Sequence, residues 1–180
     1  MKLQLFLFMF LLSVGSLSAQ ELYISGKVTK GKDASYYCSS TFGVINLRKV
    51  QNRDTTKIVY DKNGKVVEYL LSVSTNHSFK NYFVSILKEI LTKEEWNELI
   101  EKNRFILHML FLLDQTGGIK EITFKFSKRN TVFPKFSPDR FYLLEQKIKQ
   151  NFKFDLTSEQ KNHKNPKSYF TIGSRDLIKL

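Results

Sequence analysis

The chain has 180 residues, with 29 Lys and Arg against 17 Asp and Glu, and a single Cys. That length fits one domain, or one domain with a small appendage. The 42% hydrophobic and 26% charged fractions exclude collagen-like, coiled-coil and wholly disordered classes. One Cys excludes an intramolecular disulfide framework and a multi-Cys zinc site, and three scattered His disfavour a His-built metal centre.

Residues 1–20 have the three-part pattern of a secretory signal peptide. Met1 and Lys2 form a basic start, residues 3–12 are almost all Leu, Phe and Met, and residues 13–20 are small and uncharged. This apolar run is shorter than the roughly 20 residues that span a bilayer. We therefore expect cleavage near Ala19 or Gln20 and export to the periplasm or the medium, with a retained signal anchor as the alternative. After cleavage the chain is expected neither to span a membrane nor to meet nucleic acid.

Residues 21–180 are predicted to form a single α+β domain, an antiparallel sheet with helices packed on one face. Its first part, residues 21–76, is a β-rich N-terminal extension with strands predicted at 24–28, 36–38 and 42–47 and a turn at 30–33. The strongest local pattern is Asn63-Gly64 between the apolar runs 57–60 and 65–73, which is typical of a tight β-hairpin.

The second part, residues 77–180, begins with a helical pattern. Apolar residues recur at helical spacing from Phe79 to Leu91, which predicts a helix with one broad apolar stripe. Thr92 and Glu95 form a capping-box pattern, so a second helix is expected to begin at Thr92 and to end near Asn103.

The long apolar run at residues 105–113 predicts a central strand covered on both faces. A turn at 114–118 leads to a return strand, and the wrong parity of Ile119 relative to Ile122 predicts a bulge near residues 120–121. Ser137-Pro138 is typical of a helix start. Residues 157–168 are a polar loop, and residues 168–172 form the last predicted strand.

From residue 79 onward the element order is helix, strand, turn, strand, helix, strand. This order resembles the C-terminal domain of TonB-type energy transducers. Residues 111–122, with Asp114 and Gly117, look like that family's apolar-Asp-x-x-Gly-x-apolar hairpin, and residues 144–154 look like its following helix and aromatic exit. The resemblance implies fold kinship over residues 79–180 and a sheet edge that pairs with an extended partner. The chain also looks like small exported proteins of an uncharacterised-domain family, which implies no function.

Catalytic chemistry finds little support in the sequence. Cys38 has no His near it in sequence, although a nucleophilic thiol needs an adjacent base. Five further candidates are interpreted as structural, solvated or turn-forming: His77, His108, His163, Asp61 and Asp114. The sequence contains no Gly-rich phosphate loop, no His-Glu pair at helical spacing and no nucleophile elbow. We therefore predict no catalytic residue, no cofactor and no metal. An enzyme remains a third hypothesis, after the two binding hypotheses below.

Two binding hypotheses remain. The leading one is a non-enzymatic interaction module that binds an envelope or extracellular protein or peptide through a helix face or a sheet edge, the edge being residues 169–172. The second is an envelope-associated protein that binds anionic glycan or lipid, because residues 120–180 carry 14 Lys and Arg against 6 Asp and Glu. The candidate binding residues are Lys147, Lys149, Lys153, Lys161, Lys164, Lys167, Tyr169 and Phe170.

Overall fold

The structure is a computed structural model that describes residues 21–52, 59–60, 66–67, 71–72, 77–103, 105–158, 160–162 and 166–178. The predicted signal peptide, the Asn63-Gly64 turn, Lys164 and His163 lie outside the described residues. In chain order the strands are β1 (Val28–Lys30), β2 (Ser35–Thr41), β3 (Val44–Lys49), β4 (Val59–Tyr60), β5 (Val66–Val67), β6 (Leu71–Ser72), β7 (Phe105–Leu113), β8 (Ile119–Ser127) and β9 (Lys167–Gly173). The helices are α1 (His77–Ile90), α2 (Lys93–Lys102), α3 (Pro138–Asn151) and α4 (Ser174–Ile178).

The main sheet contains seven strands in the order β1-β2-β3-β8-β7-β9-β6. Six of them pair antiparallel, and only β6 runs parallel to its neighbour β9. The predicted α+β class is therefore confirmed. The N-terminal strands join this same sheet, because β3 pairs with β8 and places Leu47 opposite Phe124.

The predicted hairpin around Asn63-Gly64 is confirmed in its pairing, since β4 and β5 form a separate antiparallel pair. Its second strand was predicted as one run over residues 65–73, of which only 66–67 and 71–72 are among the described residues. Residues 66–67 belong to the small sheet, whereas residues 71–72 form β6 in the main sheet.

The first predicted strand, residues 24–28, was also misplaced. Gly26 adopts a φ of +81°, and the Lys27 N–H donates to the Ile24 carbonyl at 3.1 Å. These residues therefore turn the chain, and the strand begins only at Val28. The second turn follows at once, with the Gly31 N–H donating to the Ala34 carbonyl at 2.8 Å.

The predicted helices form as expected from their patterns. In α1 the side chains of Phe79, Phe83 and Leu87 are fully buried against the sheet. The α2 capping box is complete, because the Thr92 hydroxyl accepts from the Glu95 N–H at 3.2 Å and the Glu95 carboxylate accepts from the Thr92 N–H at 3.0 Å. Two 3₁₀ turns, Phe133–Lys135 and Gln160–Asn162, and the short α4 were not predicted.

Strand β7 is central, as predicted, because it pairs with β8 on one side and with β9 on the other. The predicted bulge is confirmed, since Leu112 faces Glu121 while Leu113 faces Ile119. The prediction that β7 is covered on both faces was wrong in the middle of the strand. Met109 is buried on the helix-covered face, whereas His108 is only half-buried on the opposite face. The helices thus leave the second face of the sheet more open.

Candidate functional site

Two of the predicted binding lysines form ion pairs within the fold. The Lys147 ammonium lies 2.7 Å from the Glu89 carboxylate, and Lys149 contacts the fully buried carboxylate of Glu145. The other Glu145 oxygen accepts from the Tyr36 hydroxyl at 3.1 Å. Burial, followed by the charge of Glu145, raises the pKa of Tyr36. An unpaired buried carboxylate is costly, so Lys149 has a structural role here.

The remaining lysines lie on separate elements. Lys153 and Lys161 are exposed beyond α3, while Lys167 is half-buried on β9 opposite Leu112. The polar loop that was expected to gather these cations is described only at 157–158, 160–162 and 166.

Tyr169 and Phe170 point to opposite faces of the sheet. The Tyr169 ring stacks on His108 at 5.8 Å between ring centroids, on the open face. Phe170 is 5% exposed and packs edge-on against Phe79 at 4.8 Å in the core. Its side chain is therefore not available to a partner. The prediction that residues 169–172 form a sheet edge was wrong at Tyr169, because β6 pairs with β9 there and Ser72 faces Tyr169.

The opposite end of the sheet is formed by β1, whose inner side pairs with β2. Val28 faces Tyr37, Thr29 faces Tyr36 and Lys30 faces Ser35. Hydrogen bonds at both ends fix which groups point outward: the Lys27 carbonyl accepts from the Cys38 N–H at 2.9 Å, and Gly31 bonds Ala34.

Hydrogen-bonded and non-hydrogen-bonded positions alternate along an antiparallel pair. The N–H and C=O of Val28 and of Lys30 therefore point away from β2. Within the part of the chain that the structure describes, no strand pairs with that outer side. Strand β1 thus presents two residues of unpaired backbone at the end of the sheet.

A groove borders this outer side. Residues 21–24 run beside β1, where the Thr29 hydroxyl donates to the Leu22 carbonyl at 2.9 Å. The buried Tyr23 fixes this segment by donating from its hydroxyl to the Phe136 carbonyl at 2.6 Å. Between the segment and the strand lies a cavity of about 450 Å³. Its lining residues are Glu21, Leu22, Ile24, Lys27, Val28, Thr29 and Lys30. We call these seven residues the edge groove.

The edge groove combines apolar surface with a positive rim. Leu22, Ile24 and Val28 are 38%, 37% and 45% exposed, which is unusual for large apolar side chains that lie together. Lys27 and Lys30 are both exposed, against the single carboxylate of Glu21. The local sequence predicted a strand at residues 24–28 and a turn at 30–33, but which strand ends the sheet depends on the distant β3–β8 pairing.

Cys38 and His108 lie on opposite faces of the sheet, so this histidine cannot act as a base for the thiol. Cys38 lies in the core on β2, where burial raises the pKa of its thiol. His108 lies on the opposite face, with Nδ1 2.6 Å from the Thr171 hydroxyl, and the pKa of its ring is lowered by burial and then by Lys125. No three His, Cys, Asp or Glu side chains gather as a metal site among the residues with described positions. None of the described helices has both the length and the apolarity to cross a bilayer.

Comparison with known proteins gives a structural neighbour. No family model matches the sequence. No curated protein matches it either. The fold is similar to that of a DUF5043 family protein from Bacteroides uniformis ATCC 8492, with a TM-score of 0.72 and 19% identity over 88% of this chain and 90% of that chain. At that identity the likeness shows the fold alone, and it agrees with the expected resemblance to an uncharacterised-domain family.

Proposed function

We propose that this protein is an exported, non-enzymatic interaction module that binds an extended peptide segment of an envelope or extracellular protein at β1. The observation that carries the proposal is the unpaired outer side of β1 beside the edge groove. Unpaired strand backbone is a template for an added strand, and a lined groove next to it supplies selectivity for side chains.

Binding would follow the geometry of an extra strand. The partner's backbone would exchange hydrogen bonds with Val28 and Lys30, which supplies affinity without regard to sequence. Because side chains alternate along a strand, every second partner residue would enter the edge groove beside Leu22 and Ile24. The exposed ammonium groups of Lys27 and Lys30 favour acidic residues in the partner. The expected partner is therefore an extended segment in which apolar and acidic residues are mixed.

Export and TonB-like kinship belong to this proposal. The residue 1–20 pattern supports export, and removing one Lys with it leaves a net charge of +11. The TonB resemblance over residues 79–180 supports recognition by strand addition, but through a different strand. In that family the resemblance pointed to the last strand, whereas β1 lies at the other end of this sheet.

The anionic-surface alternative, as first drawn around six lysines, is less favoured. Lys147 and Lys149 are engaged with Glu89 and Glu145, so they are not free to form one patch with the loop lysines. The two mechanisms also differ in their response to salt. Screening shortens electrostatic reach from about 10 Å at 0.1 M salt to about 3 Å at 1 M, whereas backbone pairing changes little.

The Val28→Pro variant tests the proposal. Proline removes the outward N–H of residue 28, leaves the β1–β2 hydrogen bonds at Lys27 and Gly31 in place, and is tolerated in edge strands. A displayed library of random peptides would be selected against the wild-type protein, and the selected peptides titrated at low and high salt. We expect Val28→Pro to weaken their binding about tenfold, the value of one lost hydrogen bond and its neighbour contacts.

Val28→Ala is the matched control, because it removes apolar surface but keeps the backbone donor. It should weaken binding less than Val28→Pro. On peptide addition, amide hydrogen exchange should slow at Val28 and Lys30. The proposal fails if no selected peptide depends on the Val28 N–H, or if exchange slows elsewhere and β1 is unaffected.

A further inference from the structure

The tip of the β2–β3 hairpin carries an aromatic residue in an unusual conformation. Phe42 has a φ of +49° and its side chain is fully exposed, at 101% of the reference area. Gly43 follows with a φ of +76°, so both central residues of the turn are left-handed. Such turns favour Asn or Asp before Gly, because most residues with a side chain are strained in the left-handed conformation.

This choice of residue has no explanation within the fold. A fully exposed ring adds nothing to the core, and a bulky residue at positive φ opposes the turn that contains it. Phe42 therefore lowers the stability of the free protein. Strain that persists at an exposed aromatic side chain points to a role outside the folded chain.

A basic turn lies directly beside the tip. The Lys128 N–H donates to the Gly43 carbonyl at 2.8 Å, and Val44 faces Ser127 where β3 pairs with β8. The side chains of Lys128 and Arg129 are both exposed. Val44, 37% exposed, adds apolar surface next to Phe42. We call Phe42, Val44, Lys128 and Arg129 the hairpin tip.

The sequence around the hairpin tip is free of carboxylates over two long stretches. Residues 34–53 and residues 122–138 contain no Asp or Glu, and these two stretches supply β2, β3, most of β8 and the basic turn. Glu21 is the acidic residue whose charge acts on the neighbouring Cys38, and Lys128 acts on the same thiol with the opposite sign. The hairpin tip itself therefore carries two exposed cations, no carboxylate and one protruding aromatic ring.

We infer that the hairpin tip docks on a membrane surface that contains anionic phospholipid. Phe42 inserts into the boundary between headgroups and acyl chains, while Lys128 and Arg129 remain at the phosphate level. An apolar projection flanked by cations is the composition that interfacial binding requires. Basic residues near an anionic leaflet are attracted to its surface potential, and the attraction weakens as salt rises. This docking is separate from peptide binding, because the edge groove is lined by other residues.

The first experiment compares vesicles of mixed phosphatidylglycerol and phosphatidylcholine with vesicles of phosphatidylcholine alone, by co-sedimentation. We expect the wild-type chain from residue 21 onward to bind the anionic vesicles and not the neutral ones. Phe42→Asn separates the ring from the fold, because Asn accepts a positive φ and Asn-Gly suits this turn. That variant should fold at least as stably as the wild type and bind about tenfold less, because it lacks the apolar ring that enters the boundary.

Two further variants complete the test. Leu143→Gln is the matched control, because Leu143 is an exposed apolar residue at 46% on α3, away from the tip, and it should bind like the wild type. Lys128→Ala with Arg129→Ala should weaken binding about tenfold at low salt. Equal binding of wild type and Phe42→Asn would overturn the inference in favour of charge alone. Absence of binding to anionic vesicles would overturn it in favour of a protein partner for Phe42.

Discussion

The two ends of the main sheet differ in how they are covered. At one end β9 is joined by the two-residue strand β6, and at the other end β1 has an outer side with which no described strand pairs. β9 is thus an inner strand of the sheet, tied to its neighbours at both of its ends. The outer side of β1 is instead bordered by the edge groove.

Coverage at the β9 end comes from turns and helices. The Leu113 N–H donates to the Pro166 carbonyl at 2.8 Å, which ties the loop before β9 to β7. Asp176 of α4 accepts from the Gly173 N–H at 2.9 Å and from the Lys80 ammonium at 2.7 Å. Strand β9 is therefore fixed at both of its ends.

At the β1 end, a carboxylate of α3 holds the turn between β1 and β2. Asp139, in the first turn of α3, accepts from the Lys32 N–H at 3.0 Å and from the Asp33 N–H at 2.8 Å. These backbone bonds hold the pKa of Asp139 below its usual range. The β1–β2 turn is thus held from outside by a single side chain that accepts both of these bonds.

The largest expected effect is at the β7–β8 turn, which lies inside the sheet between its two ends. Gly117 has a φ of +87°, and a Cβ there would lie 1.9 Å from the Phe154 carbonyl oxygen. Gly117→Ala should therefore lower the free energy of unfolding by about 4 kcal/mol, as the sum of left-handed strain and overpacking. Chemical denaturation would measure the loss.

Gly43→Ala is the matched control for that variant. Its φ is +76°, but a Cβ at Gly43 would have no atom within 4 Å. It should cost only the conformational strain, about 1 kcal/mol. Equal losses for the two variants would contradict the assigned role of the Phe154 carbonyl.

A smaller effect is expected at the β1 end. A Cβ on Gly31 would lie 2.3 Å from Oδ1 of Asp139, a side-chain atom that can move away if its hydrogen bonds break. Gly31→Ala should therefore cost about 1 kcal/mol. In a double-mutant cycle with Asp139→Ala the second change should cost less in the presence of the first. Additive losses would show that Asp139 does not hold this turn.

The smallest effect concerns the pH dependence of stability. It comes from His108, which lies on the open face of the sheet between its two ends. The pKa of His108 is lowered from its ordinary 6.5, so the folded protein favours the neutral ring more than the unfolded chain does. That stability is complete above pH 6.5 and is lost as the pH falls through the folded pKa. The melting temperature should decline over this range, and His108→Gln should flatten the decline. An unchanged profile in His108→Gln would assign the dependence to other groups.

Local patterns predicted the elements that depend on local interactions. The stripe from Phe79 to Leu91 identified α1, and Thr92 with Glu95 identified the start of α2, because helix periodicity and capping act within a few residues. The bulge opposite Leu112 followed from side-chain parity alone.

The candidate site could not be predicted in the same way. The end of a sheet is defined by long-range pairing, and nothing near Val28 in the sequence shows that β3 joins β8. The parity of Tyr169 and Phe170 was readable, but the presence of β6 beside them was not. Glu145 follows Phe141 by four residues on the inward stripe of α3, so its burial was detectable from spacing, with Lys149 four residues further as its partner.

The lone thiol has a practical consequence for studying this molecule. Cys38 is fully buried on β2, and its backbone carbonyl and N–H are bonded to Gly26 and Lys27, just before β1. A labelling reagent can reach the sulfur only when β2 separates from the core. The modification rate therefore reports how often this part of the sheet opens, and no cysteine has to be introduced. The native thiol can therefore be used to measure local opening at the β1 end of the sheet.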